Sequence, residues 1–270
     1  MHCDFLRSIL QPLTERTEGD QMGSSIESLP QKRALLHEGK AKKVYTTDRD
    51  DLFIQEFKDS ATAFDGTKKG TIAGKGSVNC RVSAKLFKYL QKWGVKTHFV
   101  DLLNANEMTI LPVKIIPVEV VVRNIAAGSL VKRLGFEEGR RFPLPIIEFY
   151  FKNDSLHDPL MNDDHIRAME LATAAELAFL RREALNVNDA LTEFFGNAGI
   201  DLVDFKLEFG RRPDGSIILA DEISPDTCRL WDRKTGKKLD KDRFRFDLGD
   251  VEQAYAEILE RTGAADESKR

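Results

Sequence analysis

The stretch "LVDFKLEFG", residues 202–210, followed after a turn by "ADEIS", residues 220–224, decides how this chain is read. Asp204, Lys206 and Glu208 recur at every second position, with Val203, Phe205, Leu207 and Phe209 between them. Successive side chains of a strand point to opposite faces, so one set goes to a core and the other lines a face with charge. A half-exposed antiparallel strand would show the same alternation. The intervening "RRPDGSI" narrows the choice, because Asp214-Gly215 is a strong hairpin signal. Placing it at the loop pairs Pro213 with Ser216 and, counting back, Glu208 with Asp221. Two facing carboxylates destabilise a bare sheet, so something positive is expected between them. With Lys206 on the same face, the pair suits Mg²⁺ carrying nucleotide phosphates, since that small hard cation takes one or two carboxylates plus phosphate oxygens. This register sets Glu222 on the apolar face, so the second strand is expected to end or twist there.

The rest of the chain bounds what such a site serves. With 270 residues there is ample length for a real core in one large or two modest domains. Charged residues make up 31% and the net charge is −3, so no overall field points to nucleic acid or a membrane surface; small-molecule partners are expected. No run approaches the ~18 apolar residues of a membrane helix, and the N-terminus lacks the layout of a secretory signal. Both point to a cytoplasmic protein. Cys3, Cys80 and Cys228 are scattered without CxxC spacing and read as free thiols rather than disulfide or zinc ligands.

Along the chain, residues 1–33 mix charge with Gly-Ser and read as a disordered extension. Residues 34–115 show short alternating runs, expected as an antiparallel-sheet N-terminal lobe, with a helix over "GSVNCRVSAKLFKYLQKWG" capped by Ser77 and stopped by Gly94. Residues 116–263 open within the strand-like "IIPVEVVV", residues 115–122, and hold a long helix with apolar positions 177, 180, 184, 187, 191 and 195; a second lobe is expected here, and residues 264–270 as a tail. The order implies an α+β fold with a cleft between two lobes.

Three further stretches carry chemistry. In "HEGKAKKVY", residues 37–45, Lys40 and Lys42 are period-two neighbours beside Gly39, a turn able to lay amides and ammoniums over phosphates. "GTKKGTIAGKGS", residues 66–77, is not a P-loop, because Gly70 and Gly74 are separated by three residues where that motif needs four. "IPVEVVVRNIAAGSLVKRLG", residues 116–135, runs a strand into Arg123, then a small-residue turn with Ser129 at a helix start, a combination suited to a monophosphate. A capped turn with Arg123 in an ion pair is an equally good local reading. "FKNDSLHDPLMND", residues 151–163, gathers Lys152, Asp154, His157 and Asp158 around a proline turn, and "ISPDTCRLWD", residues 223–232, brings Asp226 and Arg229 toward the carboxylate pair.

Taken together, "EGKAKKVY", "PVEVVVRNIAAGSLVKRLG", "LVDFKLEFG", "DEISPD" with "RLWD", and "KDRFR" resemble the SAICAR synthetase family in order, from about residue 35 to residue 262. The resemblance implies a two-lobed α+β fold, with an antiparallel nucleotide lobe related to ATP-grasp and kinase lobes. It also implies an ATP-dependent ligase of purine biosynthesis that joins L-aspartate to carboxyaminoimidazole ribonucleotide, with ATP as co-substrate and Mg²⁺ as metal. Carried onto this chain, Gly39, Lys40, Lys42, Lys206 and Glu208 would meet ATP, and Glu208 and Asp221 would serve the metal. Arg123, Ser129 and Arg229 would hold the ribonucleotide phosphate. Lys206 and Asp158 would be catalytic, with Asp158 and Lys152 in a loop closing over the substrates. A homo-oligomer, by analogy a dimer, is implied. Cys228 departs from the small residue, often serine, that the family shows before Arg229. A kinase-like phosphotransferase would need a His-Arg-Asp catalytic loop, which the sequence lacks, and a non-catalytic regulator would bind ATP without turnover.

Overall fold

The structure, a computed structural model, describes residues 29–64 and 66–268. Of the extension expected over residues 1–33, residues 1–28 lie outside the described residues, and Lys32 already belongs to the first strand. That strand, β1 (Lys32–Glu38), is followed by β2 (Lys42–Thr47), β3 (Phe53–Phe57), a small hairpin of β4 (Ser60–Ala63) and β5 (Lys68–Thr71), helix α1 (Lys75–Lys92), β6 (Phe99–Leu102) and β7 (Glu107–Ile110). Five of these strands form an antiparallel sheet in the order β1-β2-β3-β7-β6.

The chain continues through β8 (Lys114–Ile115), β9 (Val118–Ile125), α2 (Gly128–Leu134), β10 (Arg141–Phe151), β11 (Leu160–Met161), α3 (Asp163–Ala168), α4 (Ala174–Asn197), β12 (Ile200–Arg211), β13 (Ile217–Ala220), β14 (Cys228–Asp232), α5 (Asp242–Arg245) and α6 (Val251–Arg261). A second antiparallel sheet runs β11-β10-β9-β12-β13, with β14 and β8 also pairing β12. The fold is thus α+β with two antiparallel sheets, and no helix of the described residues is long and apolar enough to cross a membrane.

Helix α1 shows why glycines cluster before it. Ser77 is not its cap; the helix starts at Lys75, after Gly74 at φ +75°, and the Asp59 carboxylate accepts the amides of Gly74 (3.1 Å) and Gly76 (2.8 Å). A Cβ at Gly76 would lie 2.7 Å from the Phe57 carbonyl oxygen, so the residue is small because the helix start presses on β3. The expected stop at Gly94 holds, with φ +84°. In α4 the apolar positions 177, 180, 184, 187, 191 and 195 are all buried, and Thr173 with Glu176 closes a capping box. One continuous apolar cluster runs from Phe57 through α1, β9 and β12 to Ile258 of α6, so the two sheets share a core. The expected tail begins with a 3₁₀ turn, Ala264–Ser268, whose Ala264 is buried and whose Glu267 pairs with Lys88 (2.7 Å) and Lys85 (3.3 Å) of α1.

The decisive hairpin differs from expectation by one residue. Arg212 and Ser216 close a three-residue loop, with Gly215 at φ +81°, so Glu208 faces Ala220 rather than Asp221. A register shift against β14 between Leu202 and Asp204 also switches faces: Ile200 and Leu202 join the main core, Val203 packs with Ile125, Ala127 and Trp231, and Phe205, Leu207 and Phe209 return to the main core.

Candidate active site

Three adjacent strands of the second sheet share one polar face, on the side away from the apolar core. Register sets Arg123 of β9 beside Asp204 of β12 and Val121 beside Lys206, while Glu148 and Tyr150 of β10 flank them. This face is not wet: Asp204 and Glu208 are buried, and each is held by cations.

At one end of the face lies an arginine pair. The Arg123 guanidinium donates to Asp204 (2.9 Å), Glu148 (2.6 Å), Tyr150 Oη (3.1 Å) and Ser129 Oγ (3.2 Å). Arg229 of β14 donates from Nη1 to both oxygens of Asp204 (3.1 and 2.9 Å) and from Nε to Asp242 (2.8 Å). One carboxylate, Asp204, therefore joins both arginines, a role not assigned from the sequence although its alternation marked it. Burial alone would lower both guanidinium pKa values; Asp204, followed by Glu148 for Arg123 and Asp242 for Arg229, overcomes this and raises them. Gly128 sits at φ +58°, and a Cβ there would fall 2.5 Å from Arg229 Nη2, so the small-residue turn leaves room for that guanidinium. Arg123, Ser129 and Arg229 are thus brought together as expected, and the ion-pair reading of Arg123 holds at the same time. Cys228, at the position of the departure, is buried within the main apolar cluster.

At the other end the lysines meet the carboxylates. Lys206 Nζ lies 2.6 Å from Glu208 and 2.7 Å from Glu119, and Lys152, just after β10, reaches Glu208 at 2.7 Å. From the first sheet, Lys42 contacts Asp221 (2.5 Å) and Glu222 (3.1 Å). Asp221 reaches this group although it does not face Glu208 in the ladder: β13 ends at Ala220, and Asp221 at φ +63° leaves the alternation of the strand. Its carbonyl accepts from Gln55 Nε2 at 3.3 Å. The same break, expected because the strand's register would set Glu222 on an apolar face, brings that residue to Lys42 and to the Ser224 hydroxyl (3.0 Å). Burial and Asp221 both push the Glu208 carboxyl up, and Lys206 with Lys152 more than offsets them, leaving it below its ordinary value. Asp221 is held low against burial by Lys42 and Lys206, and Lys42 is raised against burial by Asp221 and Glu222.

The remaining residues sit at the rim. Gly39 lies in the β1–β2 turn, where its carbonyl accepts from Lys58 (2.8 Å), and Lys40 crosses to Asp154 (2.8 Å) rather than standing beside Lys42. Asp158, at φ +45°, accepts the Asn153 amide at 2.8 Å and so shapes its own turn. The two cavities described, of about 440 and 600 Å³, lie elsewhere, at Gln91–Thr97 with Arg212 and at Asn124, Arg141, Asn188 and Arg233. The charge geometry and not cavity size identifies this site. Its two ends, Asp204 and Glu208, are four residues apart on one strand, roughly 13 Å. That spacing can hold two anionic groups in one line.

The chain is similar to proteins of known family and structure. The sequence pattern of the SAICAR synthetase family matches residues 35–262. The phosphoribosylaminoimidazole-succinocarboxamide synthase of Caldanaerobacter subterraneus subsp. tengcongensis is 57% identical over 231 residues, covering 86% of this chain and 98% of its own. The crystal structure of the enzyme of that name from Ehrlichia chaffeensis superposes with a TM-score of 0.84 at 46% identity, covering 86% of this chain and 99% of its own. A SAICAR synthetase determined in complex with ADP superposes with a TM-score of 0.81 at 51% identity, over 84% of this chain and 96% of its own.

Proposed function

The chain belongs to the SAICAR synthetase family, and we propose that it carries out that family's ligation with two separate phosphate grips on one sheet face. It is an ATP-dependent ligase of purine biosynthesis. In our reading it joins L-aspartate to carboxyaminoimidazole ribonucleotide, giving SAICAR, ADP and phosphate. The observation that carries the two-grip reading is the division of the polar face into an arginine end on Asp204 and a lysine end on Glu208 and Asp221.

Arg123, Arg229 and the Ser129 hydroxyl would hold the ribonucleotide phosphate through charge-assisted hydrogen bonds. Lys42, Lys206 and Lys152 would draw the phosphates of ATP, with Lys40 and the Gly39 turn at the rim. Glu208 and Asp221 fit Mg²⁺: both are ionised oxygen donors, close enough that the charge of Asp221 acts on Glu208. Among the described residues no group of three or more His, Cys, Asp or Glu side chains forms a cage. Phosphate oxygens would complete the shell, and the bound cation would screen charge developing on the transferred phosphoryl group.

A carboxylate resists attack by an amine, so it must first be activated. In the proposed route one imidazole carboxylate oxygen takes the γ-phosphoryl group and ADP is released. The aspartate amine then bonds to the carboxyl carbon, phosphate leaves with that oxygen, and the amine gives up a proton. Lys206 and Lys152 neutralise charge on the transferring group, and the turn shaped by Asp158 closes over it. Substrate labelled with oxygen-18 in the carboxylate tests this route. We expect label in the inorganic phosphate and ADP equal to the amide formed; AMP, or unlabelled phosphate, would overturn it.

A further inference from the structure

The motif "KDRFR", residues 241–245, has no place in the two grips, yet it contributes one of the contacts that aim Arg229. We propose that Asp242 is a positioning residue for the ribonucleotide-phosphate grip: it holds Arg229 by Nε so that Nη2 faces the Gly128–Ser129 turn. This rests on the phosphate role of Arg229 given above.

The geometry separates this from a helix-end role. Asp242 is buried, and its two oxygens go to two arginines, Oδ2 to Arg229 Nε at 2.8 Å and Oδ1 to Arg245 Nη1 at 2.5 Å. Neither oxygen caps α5: the N-cap is Lys241, without a side-chain bond, and the Asp242 amide is already satisfied by Asp240 Oδ1 at 2.7 Å. Asp240 in turn accepts the Leu230 amide at 2.8 Å, which ties the Asp242 backbone to the strand that carries Arg229. Arg229 is thereby fixed on two sides, Nη1 on Asp204 and Nε on Asp242, and its third nitrogen is the one nearest Gly128. A planar guanidinium clamped at two positions has its remaining edge aimed without further ordering when an anion arrives.

The test compares the imidazole carboxylate as its ribonucleotide and as its ribonucleoside, which lacks only the phosphate. In wild type the ratio of the two kcat/KM values reads the phosphate grip. Arg229→Ala is expected to cut that ratio by about tenfold or more, the loss of one charge-assisted contact. Asp242→Asn is expected to cut it by a similar factor, while kcat/KM for the ribonucleoside and the KM for ATP stay within about twofold. The double variant should match Arg229→Ala, because the two residues act through one contact. Equal loss for both substrates in Asp242→Asn, or a double variant well below Arg229→Ala, overturns the proposal. An Arg229→Ala variant that keeps the ratio instead sinks the grip itself, and this inference with it. If Asp242→Asn does not fold, Arg229→Lys keeps the charge but loses the Nε contact; it should lose most of the ratio, and wild-type discrimination there would equally overturn the proposal.

Discussion

Replacing Gly128 by Ala perturbs the arginine end without touching any charge. The residue sits at φ +58°, where a side chain costs about 1–2 kcal/mol. The new Cβ would stand 2.5 Å from Nη2, 2.7 Å from Cζ and 2.9 Å from Nη1 of Arg229. Non-bonded contacts settle near ~3.5 Å, so the guanidinium has to retreat by roughly 1 Å. A shift of that size takes the 2.9 Å bond to Asp204 past hydrogen-bonding range. Loss of one such aimed contact to the phosphate costs about 1.5–3 kcal/mol, which is about 10- to 150-fold in kcat/KM for the ribonucleotide. Folding stability of about 5–15 kcal/mol for a protein domain absorbs the backbone strain, so the variant stays folded with a lowered Tm. Steady-state kinetics with each substrate varied in turn is the assay. A folded Gly128→Ala enzyme with an unchanged ribonucleotide KM, or with the ATP KM rising equally, would refute the reasoning.

Three other perturbations probe the rest of the site and its support. Glu208→Gln and Asp221→Asn should each leave a folded protein that turns over at least about tenfold more slowly at limiting Mg²⁺, since each removes one charge-assisted ligand; a Mg²⁺ titration that superposes on wild type would rule out the metal role. Lys75→Met breaks the buried pair with Asp226 (2.9 Å), and should cost about 3–5 kcal/mol in urea unfolding; a loss under about 1 kcal/mol would show that Lys241 and Tyr255 suffice for Asp226. Asp240 is pushed up to about 7 by burial and by its neighbour Asp242. A carboxyl that binds its proton more tightly when folded stabilises the fold fully below its unfolded pKa, near ~3.9, and loses that contribution as pH rises toward the folded value. Wild type should therefore lose Tm relative to Asp240→Asn between about pH 4 and 7, with the difference level above that range; a difference flat throughout would refute this assignment.

Strand β12 marks where sequence reading worked and where it stopped. The alternation over Asp204, Lys206 and Glu208 is a local, period-two property, and it placed those three charges on one face. The turn type was misjudged because Asp-Gly also closes a three-residue loop, and a slip of one residue exchanges every facing partner. Glu208 and Asp221 still meet, for a reason that period-two counting does not contain: Asp221 leaves the strand conformation and is held by Lys42 and Gln55 from the other sheet. The strand end near Glu222 was legible, because a carboxylate does not stay on an apolar face, and β13 does stop at Ala220. The long helix α4 was legible down to its buried positions because its apolar stripe is regular, whereas the start of α1 depends on Asp59, fifteen residues before the amide it caps at Gly74. The arginine end was found through "RNIAAGSL", but Asp204 and Asp242 act through contacts that only the folded register creates.

The shared core has a mechanical meaning. Two plates can swing on each other only where a weakly interlocked seam lies between them, and here α1 fills that seam, continuous with apolar side chains of both sheets. The two sheets should therefore melt as one calorimetric unit, and neither is a module that could be transplanted alone. Access for substrates is expected at the margins instead: the Gly39–Lys40 bend and the 152–158 turn are tied by Lys40 and Asp154 at 2.8 Å, with both side chains exposed. A tie of that kind is cheap to undo, so any opening for substrates is expected at these lips while the jaws stay fixed.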